Sequence, residues 1–108
     1  MKRGDLVTVA AKRTYTGKQR TALIVQSDLF DELASMALCL LTTELKDAPL
    51  LRINVEPTSE NSLRMTSQIM VDKIVTVRRE QVGAPFGTLD HETLVRVDRS
   101  LALFLGIA

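Results

Sequence analysis

Thr21-Ala22-Leu23-Ile24-Val25 is a continuous apolar run after its first residue, without the alternation of a half-exposed strand. Such a run, bounded by polar residues, fits a strand covered on both faces. Met36-Ala37-Leu38-Cys39-Leu40-Leu41 is a second one and ends at Thr42-Thr43. Working outward, Leu6-Val7-Thr8-Val9-Ala10 reads as a first strand, and residues 12–19, with Gly17, as a loop. Residues 28–33 suit a short helical turn capped by Ser27 or Asp28. Residues 51–55 alternate polar and apolar, which predicts a more exposed strand, and residues 57–62 form a turn-rich loop. Residues 67–71 and 74–77 read as two further strands or one bent strand. Gly83-Ala84-Pro85-Phe86-Gly87 breaks the chain.

The last element is helical. Leu94, Val97, Leu101, Phe104 and Leu105 recur at spacings of three, four, three and one, which is one face of an α-helix. Thr88 or Asp90 is the expected N-cap, Asp90 and Glu92 sit near the positive helix end, and Gly106 is a stop signal. Five or more short strands followed by one long helix predict a mainly β (α+β) fold. The strongly bent antiparallel sheet would be a small SH3-like barrel with the C-terminal α-helix packed against it.

With 108 residues, 45% of them hydrophobic and 25% charged, the chain suits a single domain over residues 1–108 with a real core. No apolar run reaches membrane-spanning length, and Met1-Lys2-Arg3-Gly4-Asp5 does not open a signal peptide, so a cytoplasmic location is expected. Cys39, the single cysteine, lies within an apolar run and reads as an inert core thiol. Arg3-Gly4-Asp5 reads as a turn leading into a strand.

Charge is unevenly spread. The first twenty residues hold six basic side chains against Asp5, a formal +5, while eight basic residues face twelve acids in the remainder, a formal −4. A basic segment entering a buried strand is either a phosphate-binding edge or a solvated arm.

The residue inventory narrows the chemistry. His91 is the single histidine and falls in the first turn of the terminal helix, so a two-histidine acid/base mechanism is excluded. There is no CxxC, no HExxH and no clustered acidic metal site, so neither metal nor cofactor is expected. An enzyme built from this chain would work with Arg, Thr, Asp and backbone groups. RNA suits that restriction, because its 2′-hydroxyl is a built-in nucleophile beside each phosphate. Cleavage then needs in-line orientation and neutralisation of the charge that builds on phosphorus. An Arg fork supplies this by meeting two phosphate oxygens at once. Arg20, where loop meets buried strand, fits that role, and Thr42 at the end of the next buried strand can donate a hydroxyl hydrogen bond.

Four ordered pieces carry a family resemblance. They are Lys2-Arg3-Gly4-Asp5-Leu6-Val7; Gly17-Lys18-Gln19-Arg20-Thr21-Ala22-Leu23-Ile24-Val25-Gln26-Ser27-Asp28; Leu38-Cys39-Leu40-Leu41-Thr42; and Val71-Asp72-Lys73-Ile74-Val75-Thr76-Val77 followed by a leucine-rich helix ending Leu105-Gly106. In this order the chain resembles the MazF/PemK toxins of bacterial toxin–antitoxin systems, whose barrel is shared with CcdB. The resemblance implies a metal-independent, sequence-specific endoribonuclease that cuts single-stranded RNA and leaves a 2′,3′-cyclic phosphate and a 5′-hydroxyl. It also implies a homodimer, neutralised by a small cognate antitoxin whose tail occupies the RNA groove.

On this resemblance the family's catalytic Arg falls on Arg20 and its catalytic Thr on Thr42. An acid used in some members falls on Asp72, and the Ser before that strand on Ser67. Lys18 and Gln19 beside Arg20, together with Ser67, are expected to bind RNA. Tyr15 either stacks on a base or is an ordinary loop tyrosine. Most members carry Pro after the Arg, where this chain has Thr21, and some carry a carboxylate five residues before it, where this chain has Tyr15. Guanidinium does not deprotonate in proteins, so the proton acceptor is Asp72 or water. The alternatives are a CcdB-like gyrase-poisoning toxin, or a non-catalytic module that binds RNA or an antitoxin. The CcdB-type carboxyl end has Trp before Gly-Ile, where this chain has Leu105-Gly106-Ile107 and no Trp.

Overall fold

Both apolar runs are strands with covered faces. In the computed structural model, which describes residues 1–10 and 19–107, the chain forms β1 (Asp5–Ala10), β2 (Gln19–Ile24), β3 (Ser35–Thr42), β4 (Arg52–Val55), β5 (Ser67–Arg78), β6 (Gly87–Thr88) and α1 (His91–Leu105). The strands make one antiparallel sheet in the order β4-β5-β3-β2-β1-β6. Side chains alternate across it. Leu6, Leu23, Cys39 and Leu41 point into one core with Ile69, Val71, Val97 and Leu101 of α1. Val7, Val9, Ala22, Ile24 and Leu38 fill a second core on the opposite face. A bridge from Val9 to Val82 curls the sheet over that second core, giving a half-barrel.

The barrel turns its corner in β5, which is one bent strand of 12 residues rather than two. Its pairing with β3 jumps from Cys39↔Ile74 to Leu41↔Ile69, so two steps along β3 match five along β5. Residues 70–73 therefore bulge opposite Leu40, and a bulge of this kind bends a strand. Beyond the bend β5 also carries the edge strand β4 through Arg52↔Met70 to Val55↔Ser67.

The segment read as a simple break at residues 83–87 ends in a strand. Gly87 pairs with Leu6, and a Cβ there would stand 2.2 Å from the Asn61 carbonyl oxygen, so only glycine lets the two segments touch. Ser27 caps a 3-10 turn at Asp28–Phe30, its hydroxyl accepting from the Leu29 N–H at 3.2 Å. Arg3 and Gly4 form the expected turn into β1.

Asp90 is the N-cap of α1, its carboxylate accepting from the Thr93 N–H at 3.0 Å, and Gly106 ends the helix with φ 75°. Phe104 and Leu105, placed on the buried face by their spacing, are 47% and 55% exposed. The reason is that the last turn stands over a groove of about 350 Å³ against Val25, Ala37 and Ile74 instead of packing on the sheet. Among the described residues no helix is long and apolar enough to cross a membrane.

Hydrogen bonds from Thr93, side chain first and backbone N–H second, hold the Asp90 carboxyl below its ordinary value of 3.8. The folded value is depressed, so the contribution to stability is complete above the ordinary value and is lost as pH falls through the folded one. Asp90→Ala is expected to cost ~1 kcal/mol at neutral pH. The gap to wild type should close in acid when both are unfolded in urea. An equal gap at both pH values would show that the ionised carboxylate is not what caps the helix.

Candidate functional site

Register alone brings the two best sequence candidates together. β2 pairs with β3 through Ala22↔Leu40. Extending that register by two residues sets Arg20 opposite Thr42, where both strands run out. On its other side Arg20 pairs with Val9 of β1, so its backbone is fixed within the sheet while the side chain is half-buried. Arg20 and Thr42 line one open groove of about 410 Å³, with Gln19, Thr21 and Ser67.

The chemistry of the groove is polar. Among the described residues no carboxylate lies within ion-pair distance of Arg20; the pairs formed are Arg3–Asp98 and Arg78–Glu80. Its guanidinium therefore has no protein counter-ion there to displace. The Thr42 Oγ1 accepts from the Glu44 N–H at 3.0 Å, which occupies a lone pair and leaves the hydroxyl proton available for a ligand. Ser67 is 4% exposed and its hydroxyl donates to the Met65 carbonyl at 3.0 Å, so it forms a fixed wall.

Asp72 is elsewhere. It lies in the bulge of β5, is not among the residues of the groove, and its buried Oδ1 has no hydrogen-bond partner among the described residues. Its field instead reaches Cys39, whose thiol burial pushes up to about 11, an effect that Arg3 partly offsets and Asp72 reinforces. The bend in β5 carries Asp72 away from Thr42, whose own partner on that strand is Gln68. Tyr15 and Lys18 lie outside the described residues.

The groove holds an acid that sequence reasoning missed. Glu44 is exposed and lines it beside Thr42. A glutamate two residues past a strand looks like solvated surface. The available signal was Thr42 itself, since a threonine hydroxyl that caps a turn fixes the residue two positions on. Among the described residues no group of three His, Cys, Asp or Glu side chains is placed to hold a metal ion.

A second compartment of about 510 Å³ opens from the first and shares Thr21, Thr43, Leu63 and Ser67 with it. Thr8 and Phe86 stand at its far side. The two together form a continuous trough across the end of β1, β2 and β3.

Relatives have the same architecture. A protein of Mycolicibacterium smegmatis called "Probable endoribonuclease MazF" is 48% identical over 108 residues, covering 100% of this chain and 99% of that one. A mycobacterial endoribonuclease solved in complex with its cognate antitoxin superposes with TM-score 0.82 at 20% identity, covering 100% and 97% of the two chains. A MazE–MazF complex from Deinococcus radiodurans gives TM-score 0.77 at 17% identity, covering 100% and 98%. The two structural matches establish the half-barrel with its C-terminal helix as a shared fold. Residues 2–105 match the family described as PemK-like, MazF-like toxin of type II toxin–antitoxin systems, and the chain belongs to that family.

Proposed function

We propose that this chain is the toxin of a type II toxin–antitoxin pair and acts as a metal-independent, sequence-specific endoribonuclease on single-stranded RNA. The observation that carries the reading is the groove in which Arg20, with no ion-pair partner among the described residues, and the Thr42 hydroxyl stand opposite each other at the strand ends. A phosphodiester seated there meets two N–H donors from one guanidinium and one O–H donor from Thr42. The ribose 2′-oxygen attacks phosphorus, the bond from phosphorus to the 5′-oxygen breaks, and a 2′,3′-cyclic phosphate forms. Negative charge grows on the non-bridging oxygens during that step, and donors fixed by the sheet stabilise it without reorganising.

The 2′-hydroxyl proton needs an acceptor. Asp72 does not line the groove, whereas Glu44 does, and we assign the acceptor role to Glu44. The departing 5′-oxygen takes its proton from water. Asp72 then has a structural part at the bend of β5.

The same reading includes a homodimer, an antitoxin partner and a cytoplasmic place of action, where messenger RNA is met. Exposed Leu103, Phe104, Leu105 and Ile107 at the end of α1 support the dimer, because a contiguous apolar end of a helix gains by being covered. Sedimentation equilibrium at the mass of one chain would remove the dimer.

The deciding assay uses a mixed-sequence single-stranded RNA in chelator, beside the same oligonucleotide with 2′-deoxy substitutions. Cleavage of the first alone, with cyclic-phosphate ends, is the expected result. Intact RNA together with gyrase inhibition would select the CcdB-like alternative instead.

A further inference from the structure

Glu44 stands off the sheet. β3 ends at Thr42, and residues 43–51 lie outside the strands and helices. Thr42 is fixed by its pairing with Gln68 of β5, but the turn that follows needs another support.

That support is the side chain of Gln68. The residue is 5% exposed, and a glutamine so deeply buried has to bond its amide. Its Oε1 accepts from the Lys46 N–H at 3.0 Å and from Arg52 Nη1 at 3.3 Å. Its Nε2 donates to the Lys46 carbonyl at 2.9 Å and to Asn54 Oδ1 at 2.8 Å. Both donors and both acceptor positions of the amide are filled, and a reversed amide would set oxygen against the Lys46 carbonyl. By bonding the N–H and the C=O of one residue, the side chain does for the turn what a paired strand does within a sheet. Arg52 completes the hold, since its Nη1 also donates to the Glu44 carbonyl at 3.4 Å. Glu44 is thus tied at both ends, its N–H to Thr42 Oγ1 and its C=O to Arg52.

Register sets this amide in line with the groove. Thr42 and Asn54 both pair with Gln68, so with Arg20 opposite Thr42 the four residues make one row across β2, β3, β5 and β4. Gln68 is not among the residues that line the groove, so it acts there through its neighbours.

From this network we propose that Gln68 is a positioning residue for the cleavage reaction, holding the Glu44 carboxylate at the groove through Lys46 and Arg52. The proposal rests on the ribonuclease reading and on the acceptor role of Glu44 given above. Proton transfer requires the base within hydrogen-bond reach, and a misplacement of about 1 Å costs on the order of a hundredfold. A turn with no strand beside it has that freedom unless a side chain removes it.

The test is a double-mutant cycle, run in chelator on single-stranded RNA. Gln68→Leu fills the space and removes all four hydrogen bonds. It should lower single-turnover kcat about ten- to a hundredfold and leave the affinity for a 2′-deoxy oligonucleotide unchanged. Arg52→Ala, at a half-buried position, releases the Glu44 carbonyl and should give a smaller loss of kcat; it carries the test if Gln68→Leu does not fold. In a Glu44→Gln background neither substitution should lower kcat further, because the group they position is gone. The gap between wild type and each variant should also narrow in acid, where a protonated Glu44 accepts nothing in either protein. Additive losses, or a gap constant with pH, would show a merely structural part and overturn the proposal. So would rates within twofold of wild type in both variants. If wild type cleaves no RNA, the ribonuclease reading fails and the proposal with it, whereas cleavage by wild type with additive losses sinks the role of Gln68 alone.

Discussion

Arg20→Lys should lower kcat/KM for RNA cleavage about a hundredfold or more, and Arg20→Ala should lower it further. Lysine keeps the charge, so long-range attraction of the polyanion survives. What it lacks is the planar fork that meets two phosphate oxygens in one geometry. The half-buried base of Arg20, locked opposite Val9 on β1, aims that fork from a rigid strand end. The loss should therefore fall on kcat under single-turnover conditions, while the affinity for a 2′-deoxy oligonucleotide changes little in the lysine variant. Full activity in Arg20→Lys would show that positive charge suffices and that the proposed geometry does no catalysis.

Glu44→Gln is expected to reduce kcat by about 10²–10⁴, the usual worth of a positioned acid or base. The amide preserves size and leaves in place the backbone N–H that donates to the Thr42 hydroxyl, so the loss isolates the carboxylate. The direction with pH follows from the role. A carboxylate base is inactive once protonated, so the wild-type rate should decline in acid, and that decline should vanish from the residual rate of the variant. A rate within twofold of wild type would return the proton to water. A loss with an unchanged pH profile would mean that Glu44 positions Thr42 rather than accepting a proton.

Much of this architecture was legible because burial on two faces leaves a plain mark. Strands β2 and β3 lack alternation, and the structure shows why: Leu23 and Cys39 serve one core, Ala22 and Leu38 the other. The caps of α1 were equally readable, since Asp90 and Gly106 act through local backbone geometry. What eluded the sequence depends on pairing between distant segments. The bulge at residues 70–73 follows from how β5 meets both β3 and β4, and no local pattern announces it. The same bulge sets Asp72 apart from the groove that Thr42 lines, which spacing along the chain does not show. Phe104 and Leu105 keep the helical period but run past the sheet, because periodicity says which face is apolar and not what covers it. Glu44 was overlooked because a glutamate just past a strand reads as solvated surface until the turn at Thr42 places it.

Cys39 sits at the middle of β3, flanked by Leu23 and Ile74 on the adjacent strands and closed to solvent. Burial holds its sulfur in the neutral thiol form, and the thiolate is the species that reacts. Peroxide and alkylating reagents thus find no handle on the folded molecule, whatever their concentration outside. Modification can proceed only when the central strands part, so the rate at which a maleimide labels the chain is a direct clock for their separation.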